Sequence, residues 1–299
     1  MDDWPALPYE EWRDTLATLH MYTQVVGKLR VAQSPFEAQW ANTGLYLTPR
    51  GLTTSAISYG LASFDAEFDF VDHALVLRAS DGGVERIALA GQDVADFYQQ
   101  VMDALKRLGM PVTITVLPQE VPDPIPFPED RQHHTYDPVS ARRFWEVLSR
   151  IDTVMKRYRA RFWGKTSPVH FFWGSFDLAN TRFSGRPAEP PPEAGTIMRY
   201  AEDAEQISVG FWAGDERNRF PAFYAYAYPR PDGCDGVVCR PEAALWADAA
   251  GLFLLPYDAV RTAPDPAAAM TEFFESTYDA CAALLGWPDD LVDHPRPGA

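Results

Sequence analysis

Cysteine is scarce in this sequence, which has three cysteines among 299 residues. Three thiols cannot build the disulfide framework of a small secreted domain, so a reducing compartment is the default expectation. Cys234 and Cys239 are spaced like half of a metal site, but two further ligands are missing nearby. We therefore interpret the stretch PDGCDGVVC as a turn, and we expect the chain to be cytoplasmic.

Long apolar runs and an excess of positive charge are also missing. No stretch approaches the ~20 apolar residues of a membrane-spanning helix, and the acidic start MDDWPALPYEEW lacks the apolar core of a signal peptide. With 26 Lys and Arg against 42 Asp and Glu, the formal net charge is -16. Nucleic acids and anionic membranes bind basic surfaces, so we expect neither as a partner. Solubility is the simplest explanation of the negative charge.

The sequence lacks the motifs of the common nucleotide-dependent enzymes. It has no P-loop, no Rossmann fingerprint and no set of kinase motifs, so we expect no cofactor. The nearest approach to a metal site is the pair His133 and His134, which follows Glu129 and Asp130. Adjacent histidines in an extended segment point apart, so we predict no metal there. His134 is kept as a candidate proton shuttle.

Helical and strand patterns alternate along the chain. Apolar residues recur every three or four positions over residues 8–30 and 144–162, which predicts two long amphipathic helices. Over residues 64–70 apolar and acidic residues alternate, as in a strand with one face in water. Asp93 and Asp265 each precede a helical pattern as candidate N-caps. With 46% hydrophobic residues to build a core, these elements predict an α+β fold.

The two long helical patterns indicate an internal duplication. Trp12 superposes on Phe144, and in the strand patterns that follow, Trp40 superposes on Trp173. We therefore predict two similar halves, each a helix, an antiparallel sheet and a second helix, packed about a pseudo-twofold axis. Coincidence is the alternative, because Ser-Pro and Trp recur in any chain of this length.

A Pro-rich segment, residues 118–137, separates the predicted halves. Proline cannot donate a backbone hydrogen bond, so we predict an extended linker there and not a sheet strand. The predicted organisation is a first half over residues 1–117, the linker over 118–137, a second half over 138–290 and a loose tail over 291–299.

The stretch with the densest chemistry is SPVHFFWGSFDLANTRFSG, residues 167–185, which we interpret as one aromatic-rich strand. Alternation of side chains would place Trp173, Ser175 and Asp177 on one face and His170 on the other. A Ser–His–Asp triad from this strand alone is excluded unless a bulge intervenes. No GxSxG motif occurs elsewhere to supply one.

We expect the corresponding strands of the two halves to line a cleft between them. Two indoles with an amide, a hydroxyl and a carboxylate would suit an aromatic or planar ligand. If the duplication holds, Glu37 and His170 would meet as an acid–base pair, while Arg182 and Arg186 would hold an anionic group. The predicted catalytic residues are His170, Glu37, Asp177 and His134, and the predicted substrate-binding residues are Trp40, Asn42, Trp173, Ser175, Arg182, Arg186 and Tyr224.

Structural roles for the same residues stay open. Trp40 and Trp173 belong to a residue type that is commoner in cores than in ligand platforms, and His170 among phenylalanines fits a core histidine equally well. Asp177 could cap a turn or pair with Arg182. The arginines could also form surface ion pairs within an acidic chain.

Three stretches of the chain are similar to one known family. They are WPALPYEEWRDTLATLHMYTQVVGKLR, FWGKTSPVHFFWGSFDLANTRFSGR and FPAFYAYAYPRP. Over nearly its full length the chain resembles a family of bacterial proteins catalogued only as a domain of unknown function. The resemblance implies a bacterial, soluble protein, and it implies no activity, cofactor or catalytic residue.

Three functions fit these patterns. The first is a site for a small aromatic or anionic molecule with cofactor-independent acid–base or hydrolytic chemistry, of a hydrolase, lyase or isomerase type. The second is a binding protein for an aromatic metabolite without chemistry. The third is a protein-interaction module that uses the face of Tyr224, Tyr226 and Tyr228. Reactive polar side chains in apolar strands cost about 1–3 kcal/mol each when unpaired, which favours the first.

Overall fold

The computed structural model describes residues 4–292 and confirms the α+β class, with helices and two antiparallel sheets. The chain divides into two compact units. The N-terminal unit comprises Leu7–Ser149 and Phe171–Phe176, and among the described residues the C-terminal unit comprises 4–6, Arg150–His170 and 177–292. These units differ in their bounds from the predicted halves. Residues 293–299 of the predicted tail lie outside the described residues.

The N-terminal unit begins with a long helix, continues through a sheet and a second helix, and includes the first part of a third helix, residues 138–149. Its elements are α1 (Tyr9–Gln33), β1 (Tyr46–Leu47), β2 (Gly51–Thr53), β3 (Ile57–Tyr59), β4 (Ala62–Asp69), β5 (Ala74–Ala79), β6 (Val84–Ala88) and α2 (Val94–Arg107). The strand order is β1-β2-β4-β5-β6, and β3 pairs with β4. Every one of these pairings is antiparallel.

Local signals explain the second half of this sheet and the helix after it. The alternating residues 64–70 form most of β4, and a turn closed by Gly82 at φ 95° joins β5 to β6. The Asp93 side chain accepts a hydrogen bond from the backbone N–H of Asp96, as an N-cap residue does. Short-range sequence chemistry therefore determines where these elements begin and end.

The first helix is buried on all sides from Met21 to Arg30. Every residue from Met21 to Arg30 is buried, polar ones included. Lys28 donates from Nζ to Thr115 Oγ1 at 2.9 Å, and Arg30 donates from Nε to the Asn42 carbonyl at 2.7 Å. A helix enclosed in this way has no water-facing side, so each polar side chain needs a partner within the protein.

The Pro-rich segment packs along α1 as part of the N-terminal unit. Its backbone N–H groups at residues 119, 135 and 137 donate to the side chains of Gln24, Thr18 and Thr15 at 2.9–3.0 Å. Phe127, in its middle, is completely buried. Prolines prevent this segment from joining a sheet ladder, and helix side chains supply the missing hydrogen bonds instead.

The C-terminal unit pairs a second sheet with helices. Its elements are the end of α3 (Pro138–Ala160), the first residue of β7 (His170–Phe172), β8 (Asp177–Pro187), α4 (Thr196–Ala201), β9 (Ala204–Trp212), β10 (Ala222–Tyr228), β11 (Leu245–Ala247), β12 (Leu252–Pro256), α5 (Tyr257–Arg261) and α6 (Pro266–Leu285). The sheet order is β11-β12-β10-β9-β8-β7. Phe223 of β10 contacts Phe274 of α6 edge to face, so α6 covers one side of this sheet. Asp265 caps the start of α6, as expected.

The expectation of one strand over residues 167–185 is wrong. β7 ends at Phe172 and β8 begins at Asp177, with a turn over residues 173–176 between them. Phe176 has φ 57°, a left-handed conformation that a strand cannot contain. Alternation therefore does not carry across the turn, and the assignment of Trp173, Ser175 and Asp177 to one strand face does not hold.

In residues 4–292, no helix is long and apolar enough to cross a bilayer.

Trp173 is a core residue of the N-terminal unit, consistent with the structural alternative. It is buried, its Nε1 donates to the Thr43 carbonyl at 2.9 Å, and its ring lies against Gly27 of α1. A Cβ at position 27 would overlap the indole. Glycine is therefore required here by close approach and not by backbone conformation.

We predict that Gly27→Ala destabilises the protein by about 1–3 kcal/mol, because the added methyl group must displace a buried indole. This loss exceeds the gain of ~1 kcal/mol in helix propensity that alanine brings. Urea unfolding followed by tryptophan fluorescence measures the effect.

The matched control is Gly236→Ala, at a glycine with open space around the added methyl group. We expect it to change stability by less than about 0.5 kcal/mol. Equal stabilities for the two variants would contradict the packing of Trp173 on Gly27.

Candidate functional site

The end of the Pro-rich segment, residues 130–137 (DRQHHTYD), carries a polar residue at every position; we call it the polar segment. The start of α2 holds it in place, because the backbone N–H groups of Val94 and Ala95 donate to the carbonyls of His133 and Asp130 at 3.2 and 3.0 Å. Arg131 binds Asp93 and Asp96 at 2.6–2.8 Å. The segment is thus fixed against α2 at one side and α1 at the other.

A buried carboxylate orients an imidazole within the polar segment. Asp130 Oδ2 lies 2.7 Å from His133 Nδ1, with the aspartate side chain 0% and the histidine side chain 32% exposed. Asp130 Oδ1 accepts the backbone N–H groups of Gln132 and His133 at 3.1 and 3.2 Å. An ionised carboxylate only accepts, so Nδ1 carries the proton and Nε2 of a neutral His133 keeps its lone pair.

A second pair joins the polar segment to the turn between β4 and β5. His73 Nδ1 lies 2.9 Å from Tyr136 Oη, and His73 has φ 50°, an uncommon conformation for a residue other than glycine. Burial lowers the pKa of His73 and raises the pKa of Tyr136 above its ordinary value. Both groups are therefore uncharged at neutral pH, and Tyr136 retains a phenolic proton.

His20 of α1 connects the polar segment to the turn at residues 173–176. Its Nε2 donates to the Gly174 carbonyl at 2.9 Å, and its ring lies 5.0 Å from that of Phe176, centroid to centroid. Burial, with a smaller contribution from the nearby His133, lowers the pKa of His20 to about 4. His20 is neutral at pH 7 and acts there as a fixed hydrogen-bond donor.

Two residues near His20 have a backbone conformation that is uncommon for residues other than glycine. Glu120 and Phe176 both have left-handed φ angles, 56° and 57°. The Glu120 carboxylate lies so close to Gly174 that a Cβ there would overlap it. Non-glycine residues in this conformation cost about 1–3 kcal/mol each, and such strain clusters at functional sites. Ser175, next in the chain, is exposed.

These groups together are suited to proton transfer. His133 offers an oriented base, Tyr136 a protonated phenol, and Glu120 a carboxylate beside Gly174, the residue to which His20 donates. Each role matches a side chain that commonly serves in general acid–base catalysis. Among residues 4–292, no cluster of three or more His, Cys, Asp and Glu side chains is arranged to hold a metal ion.

The predicted residues of the N-terminal unit have different surroundings. His134 and Glu37 are exposed, and Trp40 is half-buried, with its ring edge-on to Phe36 at 5.1 Å. Asn42 is buried, and its Oδ1 accepts the backbone N–H of Glu37 at 3.2 Å. Glu37 and Asn42 are thus in direct contact. Glu37 and His170 belong to different units, so their pairing stays a prediction.

Two predicted residues of the C-terminal unit do meet. The Tyr224 hydroxyl donates a short hydrogen bond to Asp177 Oδ2. Burial, followed by the charge of Asp177, raises the pKa of Tyr224 well above its ordinary value. Asp177 is buried, and Gly210 leaves room for the Tyr224 ring on β9. This pair joins β8 to β10 across β9, and its predicted role toward a ligand stays a prediction.

Arg182 is enclosed by aromatic rings of its own unit. Its guanidinium carbon lies 3.5 Å from the ring centroid of Tyr158 and 4.5 Å from that of Tyr278. Nη2 donates to the Tyr158 carbonyl at 2.7 Å, and Glu275 lies 3.8 Å from Nη1. A fully buried cation held in this way is a structural element of the core. Its predicted binding of an anion stays a prediction.

Arg186 and His170 also have surroundings that suit structural roles. Arg186 forms an ion pair with Glu205 at 2.7 Å and donates to the Leu285 carbonyl at 2.8 Å, at the end of α6. His170 is buried at the start of β7. The ion pair with Glu205 agrees with the alternative role that the sequence analysis gave for Arg186, a surface ion pair.

The three cysteines are buried in the C-terminal unit. Burial raises the pKa of each thiol, that of Cys239 to about 11. Thiols are nucleophiles and metal ligands in their deprotonated form, so these side chains are unreactive at neutral pH.

The sequence analysis did not identify His20, His73 or Glu120 as site residues. It also selected His134, whereas the structure orients the adjacent His133. The spacing of Asp130 and His133 was a usable signal, because an aspartate can receive the ring N–H of a histidine three residues later in a turn. The partner of His20 lies 154 residues away, and no local pattern identifies such a contact.

Comparison with known proteins gives a family and no activity. The chain matches the Family of unknown function (DUF5996) over residues 4–294. The chain belongs to this family. This match confirms the resemblance of the three sequence stretches to a family that is known only as a domain of unknown function. No curated protein and no solved structure matches the chain.

We predict that His20 makes the fold sensitive to acid. Its folded-state pKa of about 4 lies below the ordinary 6.5, so the unfolded chain takes up this proton first as the pH falls. The contribution of neutral His20 is fully present above pH 6.5 and is lost towards pH 4, by about 3 kcal/mol at most. Urea unfolding at several pH values measures it.

The test compares the wild type with His20→Gln, which keeps a donor for the Gly174 carbonyl. The variant should lose less stability on acidification than the wild type does. His134→Gln, at an exposed histidine, should leave the wild-type pH dependence unchanged. Parallel pH profiles for the wild type and His20→Gln would contradict the assignment.

Proposed function

We propose that the chain is an enzyme that moves a proton to or from a small organic substrate, without a cofactor, with His133 as general base. The observation that carries this proposal is the hydrogen bond of a partly exposed imidazole to a completely buried carboxylate, at 2.7 Å. Nε2 of His133 would accept the substrate proton, and Asp130 would stabilise the imidazolium that forms. Acid–base and hydrolytic reactions both begin with such a step.

The neighbours of this pair support the same reaction type. Tyr136 holds a phenolic proton at neutral pH and could protonate the substrate from another side. The neutral His20 limits the positive charge near His133, since two imidazolium ions would repel each other. Asp130 also stabilises its own turn through two backbone N–H groups, and that structural role is compatible with catalysis.

We also propose, from the sequence pattern, that the chain arose by internal duplication, with halves related by a pseudo-twofold axis. Support comes from element order: Tyr9–Gln33, a sheet and Val94–Arg107 correspond to Pro138–Ala160, a sheet and Pro266–Leu285. An experimental structure in which superposed halves differ in strand direction would overturn this idea. The aromatic cleft between halves, and the bacterial and cytoplasmic origin, stay predictions.

We predict that His133→Gln lowers turnover about 10²–10⁴-fold in any reaction found by screening the purified protein against metabolite pools. Glutamine keeps a hydrogen-bond donor for Asp130 but cannot take up a proton. Asp130→Asn should reduce the rate in the same direction, because the amide no longer stabilises the imidazolium. Loss of substrate, followed by mass spectrometry, measures each rate.

His134→Gln is the matched control, because it changes the adjacent, exposed histidine by the same atoms. It should keep full activity, and all variants should melt within a few degrees of the wild type. Full activity in His133→Gln, with loss in His134→Gln or His170→Ala, would overturn the proposal in favour of the residues expected from sequence. A ligand that raises the melting temperature without turnover would indicate a binding protein.

A further inference from the structure

The N-terminal sheet ends in an open edge at β6. This strand is last in the order β1-β2-β4-β5-β6, and no described strand pairs with its outer side. Its Val84 is 56% exposed. Edge strands carry main-chain N–H and C=O groups that can pair with another extended chain.

The hydrogen-bond register shows which residues offer these groups. The backbone N–H of Ala79 donates to the Gly83 carbonyl, and that of Leu89 donates to the His73 carbonyl, both at 2.8 Å. Pairs of an antiparallel ladder alternate, so Leu77↔Glu85 and Leu75↔Ile87 are the hydrogen-bonded pairs between them.

It follows that Val84, Arg86 and Ala88 direct their N–H and C=O groups away from β5. Among these, the Ala88 carbonyl is occupied by Gln92 Nε2 at 2.7 Å. Arg86 therefore lies at the centre of the open main-chain edge.

A groove of about 400 Å³ follows this edge, between β6 and α2. Its volume lies within the usual range of ligand sites, roughly 300–1,000 Å³. Its walls are polar, and the lining residues are Arg86, Ile87, Ala88, Asp96, Gln99, Gln100, Asp103 and Arg107.

The charges along the groove are unequally neutralised. Asp96 on α2 is held by Arg131 at 2.6 Å, and Asp103 is held by Lys106 at 3.0 Å. Arg86 has only a 3.3 Å contact with Asp72, and both side chains are more than half exposed. A surface pair of this kind contributes about 0–1 kcal/mol, so Arg86 is the charge most available to a partner.

We propose that this groove binds an extended peptide, which adds to the edge of β6 as a strand and places an acidic side chain opposite Arg86. Main-chain pairing would supply affinity, and the oppositely charged cross-strand pair would supply register. A second copy of the chain fits less well. A symmetric pairing centred on Arg86 or on Glu85 would set like charges opposite each other.

Arg86→Pro tests the main-chain part of this proposal. Proline lacks the N–H group, and at an outward-facing edge position it removes no hydrogen bond to β5. Arg86→Ala is the matched control, because it removes the charge and keeps the N–H. The probe is the capped peptide Thr-Val-Glu-Val-Thr, followed by amide chemical shifts of the 15N-labelled full-length protein.

The wild type should show shifts at Val84, Arg86 and Ala88, and Arg86→Pro should bind about tenfold more weakly than Arg86→Ala. Replacing the peptide glutamate with lysine should weaken binding to the wild type but not to Arg86→Ala. Methylation of the peptide backbone nitrogens should abolish binding. The experiment with the methylated peptide uses the wild-type protein, so it tests main-chain pairing even if Arg86→Pro does not fold.

Three results would overturn the proposal. They are equal binding by Arg86→Pro and Arg86→Ala, an absence of shifts at β6 in the wild type, and a concentration-dependent dimer that the peptide does not dissociate. None of these results depends on His133, so they leave the proposed proton-transfer function unaffected.

Discussion

Burial of α1 on every side is the constraint on which the N-terminal unit depends. From Met21 to Arg30 the helix has no exposed residue, although the stretch includes a lysine, an arginine and a glutamine. The cost of an unpartnered buried polar group is about 1–3 kcal/mol, so the surrounding loops must supply partners. Burial lowers the pKa of Lys28 to about 8, which shows how strongly this interior disfavours charge.

The same constraint positions the candidate site. Thr15, Thr18 and Gln24 of α1 accept hydrogen bonds from backbone N–H groups of the Pro-rich segment. The polar segment, which is the end of that Pro-rich segment, also binds the start of α2. The site is therefore built on fixed elements, although its residues lie in a stretch without a long helix or strand. Rigid support of this kind is what proton transfer requires.

Sequence patterns predicted the elements whose causes are local. Asp93 and Asp265 cap helices through contacts within three residues, and the alternation over residues 64–70 marks the strand β4. The expectation that one face of this strand lies in water is wrong, because Glu67 and Asp69 are buried and pair with Arg78 and Arg50. The break at residues 173–176 was missed, because phenylalanine at position 176 gives none of the signals that glycine or asparagine gives at a left-handed position. The Pro-rich segment was rightly excluded from the sheet, while its packing on α1 depended on helix side chains far away in sequence.

The amino-acid sequence by itself determined the α+β class, the positions of the capped helices and the family. Each of these depends on composition or on interactions between residues close together in the chain. Only the tertiary structure decided that His133, and not His134, binds a buried carboxylate, that His20 meets Gly174, and that Arg182 is enclosed by aromatic rings. The physical reason is that the partner of a buried polar group is chosen by the path of the whole chain, which no local preference encodes.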